Sequence, residues 1–394
     1  MKKLCIEFAE KAASAGIVGP DPPVVGAATD RGIVWNRADS RTPLLEKLFS
    51  LPHVNGLFFS MPGEPYATIM NSLAAMPAHA LFPKDWETRV YFHDIPIVHS
   101  FRPDHIVSAL TTRKSAIVPG EGIITVSDHP PKMAYVYYSS VCFALFIKFF
   151  ADYLDNCSRQ CEPFVDKSVF HRIRELLQQP ATGPFYLRPG PLSSEKQIHA
   201  AICEAGKRII DNGLVDSCQG NISYRYGSSL AITCAGAHLD ELAGNIIACP
   251  LDKRLNASFG ASSELPVHRA IAANTPYRAI IHSHPKFAVI LSMDCSRYEC
   301  TQPDHCYTTC SIPRTIGDIP VVSGEGGSGP HSISATVPPA LGEYPAAIVY
   351  GHGLFTVGND DFCTPFNKLV EIENYCRKEY FRRVNERINK KNDY

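Results

Sequence analysis

Two histidines separated by one residue, His282 and His284, close an apolar run that begins Ala279-Ile-Ile. If that run is a strand, alternation puts both imidazoles on the same side, about two residues of rise apart, close enough to hold one metal ion. A third histidine, His352, follows another apolar run and stands between Gly351 and Gly353, which let the backbone turn tightly. An HxH pair alone is weak evidence, because histidines also sit in cores as satisfied residues.

Metal chemistry on a small substrate also needs a base, and Glu264 is the candidate. It follows Ser262 and Ser263 and precedes a helical pattern that ends near Asn274. Exposed N–H groups at a helix start suit an anion, and the two serines add hydroxyl donors. The plainer reading is a capping segment whose glutamate favours the first turn. Gly220 and Asn221 lead into a strand, and Thr233 and Gly236 close the next one; each pair could cradle an anion or simply turn the chain. No dinucleotide fingerprint and no Walker lysine accompany them.

The elements that must position these residues are read from periodicity. Ser194 to Asn212 has a helical period and ends at Gly213, and Thr364 to Arg383 returns to it. NISYRY, SLAIT, NIIACP, AIIHSHP, AAIVYGHG and LFTVG are short, β-branched and bounded by turns, as strands are. Helices flanking many short strands suggest α/β or α+β layering.

The chain also repeats itself. DIPIV from Asp94 matches DIPVV from Asp318, and SAIVPGEGIITVSD from Ser115 lies over AAIVYGHGLFTVGN from Ala346. VNGLFFSMP from Val54 lies over YRAIIHSHP from Tyr277, and FAEKAASAGIV near the start resembles EAGKRIIDNGLV. Four matches in one order point to two copies of one fold, at 1–155 and 194–394, joined by a 156–193 linker that contains a helix. The first copy has Phe59, Met61 and Glu121 where the second has His282, His284 and His352, and this alignment sets Ser40 against Glu264. A sister copy that packs without the imidazoles shows that the fold does not itself require them.

Composition narrows the function classes. Of 394 residues, 45% are apolar and 20% charged, the balance of a soluble globular chain. Lys plus Arg total 38 against 39 Asp plus Glu, which leaves no basic excess for holding nucleic acid. Fourteen cysteines, not arranged as paired CxxC knuckles, read as mostly reduced thiols of a cytoplasmic protein. Glu7, Glu10 and Lys11 interrupt any signal-peptide core, and the apolar stretch from Met133 to Phe150 reads as a buried helix rather than a membrane span.

Taken in order, the serine pair with Glu264, the HxH pair and the HG of His352 resemble the class II aldolase/adducin family over about residues 195–382. The resemblance implies an α/β, three-layer α/β/α fold with a central mainly antiparallel sheet, present here twice. It implies His282, His284 and His352 as metal ligands, Glu264 as general acid/base, and Gly220, Asn221, Thr233, Gly236, Ser262 and Ser263 as lining of a phosphate or carboxylate pocket. Zn2+ is the default ion, with Mn2+, Co2+ or Ni2+ also suited to three nitrogens and oxygen ligands. The implied chemistry is carbon–carbon cleavage of a small phosphorylated or carboxylated hydroxy-ketone, a Lewis acid spreading the charge of an enediolate while the carboxylate moves a proton. Epimerases and decarboxylases of the family share that chemistry, and adducin-like relatives keep the fold as non-catalytic interaction proteins without the metal histidines. The family assembles into rings, so the chain is expected to be a homo-oligomer, possibly a dimer of two-domain chains imitating a tetramer.

Several features depart from the family pattern. Cys234 stands where proline is common, and a segment with Cys295, Cys300, Cys306 and Cys310 follows the histidine pair; it could reshape the pocket, bind a second metal or simply pack. Tyr298, Tyr307 and Tyr350 are candidates for the leaving-group tyrosine of some aldolases.

Overall fold

The structure, a computed structural model, describes residues 1–158, 165–216, 219–252, 259–295, 300, 305–327, 329–342 and 344–392. The chain forms two compact units, Met1–Gln178 and Gln179–Tyr394.

The first unit runs α1 (Lys2–Ser14), β1 (Val24–Thr29), β2 (Gly32–Trp35), α2 (Thr42–Leu45), a 3-10 turn (Glu46–Ser50), β3 (Gly56–Ser60), α3 (Tyr66–Ala74), β4 (Ala80–Leu81), α4 (Trp86–Tyr91), β5 (Ile95–Pro96), α5 (Pro103–Leu110), β6 (Ser115–Val118), β7 (Gly122–Ser127), α6 (Lys132–Ser158) and α7 (Lys167–Leu176). Five strands form an antiparallel sheet in the order β2-β1-β3-β7-β6. Strands β3 and β7 are buried along their whole length, which is why GLFF and GIITV read as continuous apolar runs rather than alternating ones. One face packs the 3-10 turn and α5 through Leu48, Ile106 and Leu110. The long helix α6 lies against β3 and β7, and the Thr125 hydroxyl donates to the Ala134 carbonyl at 2.7 Å. Helix α6 is long and apolar enough to cross a bilayer, but 89% of its most apolar stretch is buried within the protein.

The second unit runs α8 (Glu195–Asp211), β8 (Asn221–Tyr226), β9 (Ser229–Thr233), β10 (Ile246–Pro250), α9 (Leu265–Asn274), β11 (Ala279–Ser283), α10 (Lys286–Met293), β12 (Arg314–Ile316), β13 (Ile319–Val322), α11 (Ile333–Ala340), β14 (Ala346–Val349), β15 (Gly353–Gly358) and α12 (Cys363–Asn392). Its sheet is ordered β10-β9-β8-β11-β15-β14-β13-β12 and is antiparallel except for the β13–β14 pair. Ser194 caps α8 through a capping box with Gln197, and Gly213 beyond its end takes φ +64°, a backbone region open mainly to glycine. Helices α9 and α11 cover one face through Val267, Ile271, Ile333 and Val337. Helix α12 packs on β11, β15 and α10.

The five central strands, β9-β8-β11-β15-β14, repeat the order of the first sheet. The register repeats as well: Ala279 faces Gly358 as Gly56 faces Ser127. Even the parallel step recurs, since Val321 bridges Ile348 as Ile97 bridges Ile117. The fold is therefore the α/β sandwich expected from sequence, built twice. One detail of the alignment changes. Arg41, not Ser40, occupies the place of Glu264, because each is the N-cap of a helix whose second residue is proline, Pro43 in α2 and Pro266 in α9.

Candidate metal and carboxylate site

His282 lies in β11 and His284 just past its end, so the alternation expected of a strand carries both imidazoles to one side. Their Nε2 atoms stand 2.9 Å apart. His352 arrives from the tight turn between β14 and β15, and one ligand atom from each of the three histidines lies within 4.8 Å of the others. All three rings are buried. The backbone is shaped for this convergence. A Cβ on Gly353 would lie 2.6 Å from the Ser283 carbonyl oxygen and 2.8 Å from His282 Cε1, and one on Gly220, which has φ +83°, would lie 2.6 Å from the His282 carbonyl oxygen. Only glycine permits either approach.

Glu264 completes the cluster. As N-cap of α9 its side chain makes no capping hydrogen bond, which sets aside the plain capping role. Its carboxylate turns inward, with Oε2 3.2 Å from His282 Nε2 and Oε1 3.2 Å from His352 Nε2. Asn221 donates from Nδ2 to Oε2 at 2.7 Å. The Ser262 hydroxyl accepts from the Glu264 backbone N–H at 3.3 Å, and Ser262 N–H donates to the Thr233 carbonyl at 3.0 Å. The Thr233 hydroxyl accepts from Ile222 N–H at 3.3 Å. Cys234 bridges Ala261, which ties the end of β9 to the Ser262–Glu264 segment. Gly236 takes φ +65° in the turn after β9, and Gly236 and Ser263 are both exposed.

The hydrogen bonds also fix protonation. His282 Nδ1 faces the Leu354 carbonyl at 3.3 Å, and a carbonyl can only accept. Nδ1 therefore carries the proton, and Nε2 presents its lone pair to the cluster. Burial pushes His282 down to about 4 and His284 well below the ordinary histidine range, so both rings are neutral at pH 7. Burial pushes the Glu264 carboxyl upwards, but His282, His352 and the Asn221 amide outweigh it and hold the group well below the usual carboxylate range. Imidazole nitrogens and carboxylate oxygens thus converge at separations of about 3 Å. The same set is the donor shell that a divalent cation requires, so the residues present fit a metal ion. Among the described residues this is the one His/Cys/Asp/Glu group whose ligand atoms converge in this way.

Sequence reasoning missed His268. It is fully buried in α9, its Nε2 bonds Asn221 Oδ1, and its Nδ1 lies 2.6 Å from the Ser223 hydroxyl. Since Asn221 spends its amide N–H on Glu264, its Oδ1 must accept, so His268 Nε2 donates and Nδ1 accepts from Ser223. Burial holds His268 down to about 3, which keeps the ring neutral. The result is a buried chain, Ser223–His268–Asn221–Glu264, that fixes the carboxylate from behind. A signal was available: the first copy has buried Leu45 at the place of His268, the same contrast that singled out His282.

The cysteine segment ends against this region. Tyr307 packs edge-on to Tyr350 at 5.0 Å, and the Tyr350 ring lies under the Arg314 guanidinium at 5.3 Å. Cys295, Cys300, Cys306 and Cys310 form no disulfide among the described residues, and burial pushes the Cys306 thiol up. Tyr298 lies outside the described residues.

An antiparallel α/β sandwich with a buried trihistidine cluster facing a carboxylate defines a class of metal-site proteins. Residues 200–380 match the family "Class II Aldolase and Adducin N-terminal domain", which places this part of the chain in the class II aldolase/adducin superfamily. A curated relative, methylthioribulose-1-phosphate dehydratase of Bradyrhizobium sp. (strain BTAi1 / ATCC BAA-1182), is 26% identical over 176 residues, covering 40% of this chain and 79% of that protein. Solved structures similar to this chain include L-fuculose-1-phosphate aldolase from Thermus thermophilus, at 25% identity, 48% of this chain, 97% of that chain and a TM-score of 0.39. Sugar-phosphate aldolase from Thermotoga maritima matches at 18% identity, 48% of this chain, 94% of that chain and a TM-score of 0.36.

Proposed function

We propose that the second unit is a divalent-metal-dependent carbon–carbon lyase acting on a small phosphorylated or carboxylated hydroxy-ketone. The observation that carries this reading is the convergence of three buried imidazoles on the inward-turned carboxylate of Glu264. His282, His284 and His352 would hold the ion, with Zn2+ the default and Mn2+, Co2+ or Ni2+ able to replace it. When bound, the ion supplies Lewis-acid polarisation of the carbonyl beside the bond that breaks. Glu264 acts as general acid/base at the substrate carbon, and the Asn221 amide on Oε2 holds it in the ionised form that accepts a proton through its other oxygen. Gly220, Thr233, Gly236, Ser262 and Ser263 line the approach for the substrate's anionic end, so that remote binding orients the reacting bond.

A second lyase reading is loss of water from a phosphorylated ketose, which the likeness to the Bradyrhizobium dehydratase favours. Epimerase and decarboxylase chemistry would use the same groups. An adducin-like interaction role is disfavoured by retention of all three histidines and Glu264. The first copy, with Phe59, Met61, Glu121 and Arg41 at these positions, is non-catalytic in this reading, and the chain assembles as a homo-oligomer.

Elemental analysis of reductively purified protein tests the metal, with about one divalent ion per chain expected. Product trapping across small hydroxy-ketone phosphates then separates the reactions: two carbonyl fragments mean cleavage, and one dehydrated chain means elimination. Protein that stays metal-free after loading would overturn the lyase reading.

A further inference from the structure

A second feature of the Gln179–Tyr394 unit lies outside this site. The end of α10, strand β12 and the last turns of α12 enclose a cavity of about 530 Å³, within the roughly 300–1,000 Å³ of small-molecule sites. Five cationic side chains line it, Arg314, Arg382, Arg383, Arg387 and Lys390, against two acidic ones, Asp294 and Glu386. Arg383, Arg387 and Lys390 recur at helical spacing, so α12 presents them on one face.

The acids do not balance this charge. Asp294, 6% exposed, is shared by Arg383 at 2.8 Å and Arg387 at 2.9 Å. Glu386 pairs with Arg382, and Glu379, beside the cavity, pairs with Arg382 at 2.6 Å and Arg383 at 2.7 Å, which leaves five cations against three acids. Arg314 donates to the Ser292 and Asp294 carbonyls at 2.7 and 3.2 Å, and neither it nor Lys390 has an ion pair among the described residues. The fold does not call for this stripe: in the first copy the register of α6 against α12 sets Ala151, Asp152 and Asn156 at the places of Arg382, Arg383 and Arg387. A merely solvated helix face would not close a cavity around a carboxylate shared by two guanidinium groups.

We infer that this cavity is a second binding site, for a small phosphate-bearing ligand. Guanidinium forks match phosphate oxygens in pairs, and two surplus positive charges suit a doubly charged phosphate better than a single carboxylate. The floor of the cavity is joined to the metal site. Arg314 holds the Ser292 carbonyl, the Ser292 hydroxyl accepts from Gly351 N–H at 2.8 Å, and His352 follows Gly351. Occupancy is thus placed to be felt at the His352 turn. The inference does not rest on the proposed reaction.

The test is calorimetric titration of the full chain with inorganic pyrophosphate at about 0.15 M salt, on wild type, His282→Ala/His284→Ala and Lys390→Glu/Arg382→Ala. Saturable binding of one pyrophosphate per chain is expected in wild type and in the histidine variant, weakened at least tenfold in the Lys390/Arg382 variant. Both substituted cations are exposed, and Lys390→Gln, which removes charge without reversing it, should give an intermediate loss. Binding lost in the histidine variant and unchanged in Lys390→Glu/Arg382→Ala would assign the anion to the metal site and overturn the inference. Absence of saturable binding, or tighter binding of a single-stranded oligonucleotide than of pyrophosphate, would overturn it too.

Discussion

The two copies share a sheet order and register but fill the same positions with opposite chemistry. Across β8 and β11, Asn221 faces His282; across β1 and β3, Val24 faces Phe59. With Leu45 in the place of His268, the buried polar chain of the second copy becomes, in the first, part of one hydrophobic cluster holding Val24, Leu45 and Phe59. At the place of Glu264, Arg41 lays its guanidinium over the Phe59 ring at 4.8 Å. What the copies keep in common is equally informative. Gly122 and Gly353 both press against a strand backbone, Gly120 and Gly351 both take positive φ, and Pro43 and Pro266 both start a helix. The shared residues are those the chain path needs; the residues found in one copy only are those that chemistry needs.

The strongest break of this contrast is removal of the ligands. His282→Ala/His284→Ala should abolish metal binding, a loss well beyond the roughly 10–100-fold that a missing supporting group costs. Phe59→Ala should leave metal stoichiometry unchanged while lowering stability by about 3–5 kcal/mol, the range for emptying a buried aromatic site, as read by denaturant unfolding. Asn221→Val, which imports the first copy's residue, should keep the ion but reduce turnover by about 10–100-fold, because Glu264 loses its donor. Gly122→Ala and Gly353→Ala should each cost about 1–3 kcal/mol of stability, and only the second should also lower metal occupancy.

Acidity gives a finer test. His268 has a folded-state pKa of about 3 against 6.5 for a free histidine. The folded protein therefore binds fewer protons there, so this stabilisation is complete above pH 6.5 and is lost as pH falls from 6.5 towards 3. Urea midpoints should drop over that window, less steeply in His268→Gln. The smallest effect should come from Arg41→Ala, about 1 kcal/mol for a partly buried cation that lies over a ring and pairs with Asp39, with no change in metal.

The strands and the three histidines were legible because the chain prints the fold twice and changes only the site. The central strands, buried on both faces, left unmistakable apolar runs, and the HxH spacing followed from strand alternation. What escaped lay where the copies align through a change of length. Placing Glu264 against Ser40 rather than Arg41 shifted α9 by one residue and hid His268 behind an unremarkable position, although Leu45 stood opposite it. The roles of Asn221 and Ser262 depend on which way a side chain turns, and periodicity does not record that.

Asn221, Glu264, His282 and His352 come from four segments spread over most of the second unit, and they meet only after the non-local pairs β8–β11 and β11–β15 have closed. An ion on the histidines would then act as a cross-link present only in the finished fold, worth about 4 kcal/mol when free metal stands a thousandfold above its dissociation constant. Chelation should lower the melting temperature of this unit and leave that of the first unit, which has Phe59, Met61 and Glu121 at the places of the three histidines, where it was. The two halves of one chain would thus differ in how their persistence follows the supply of metal.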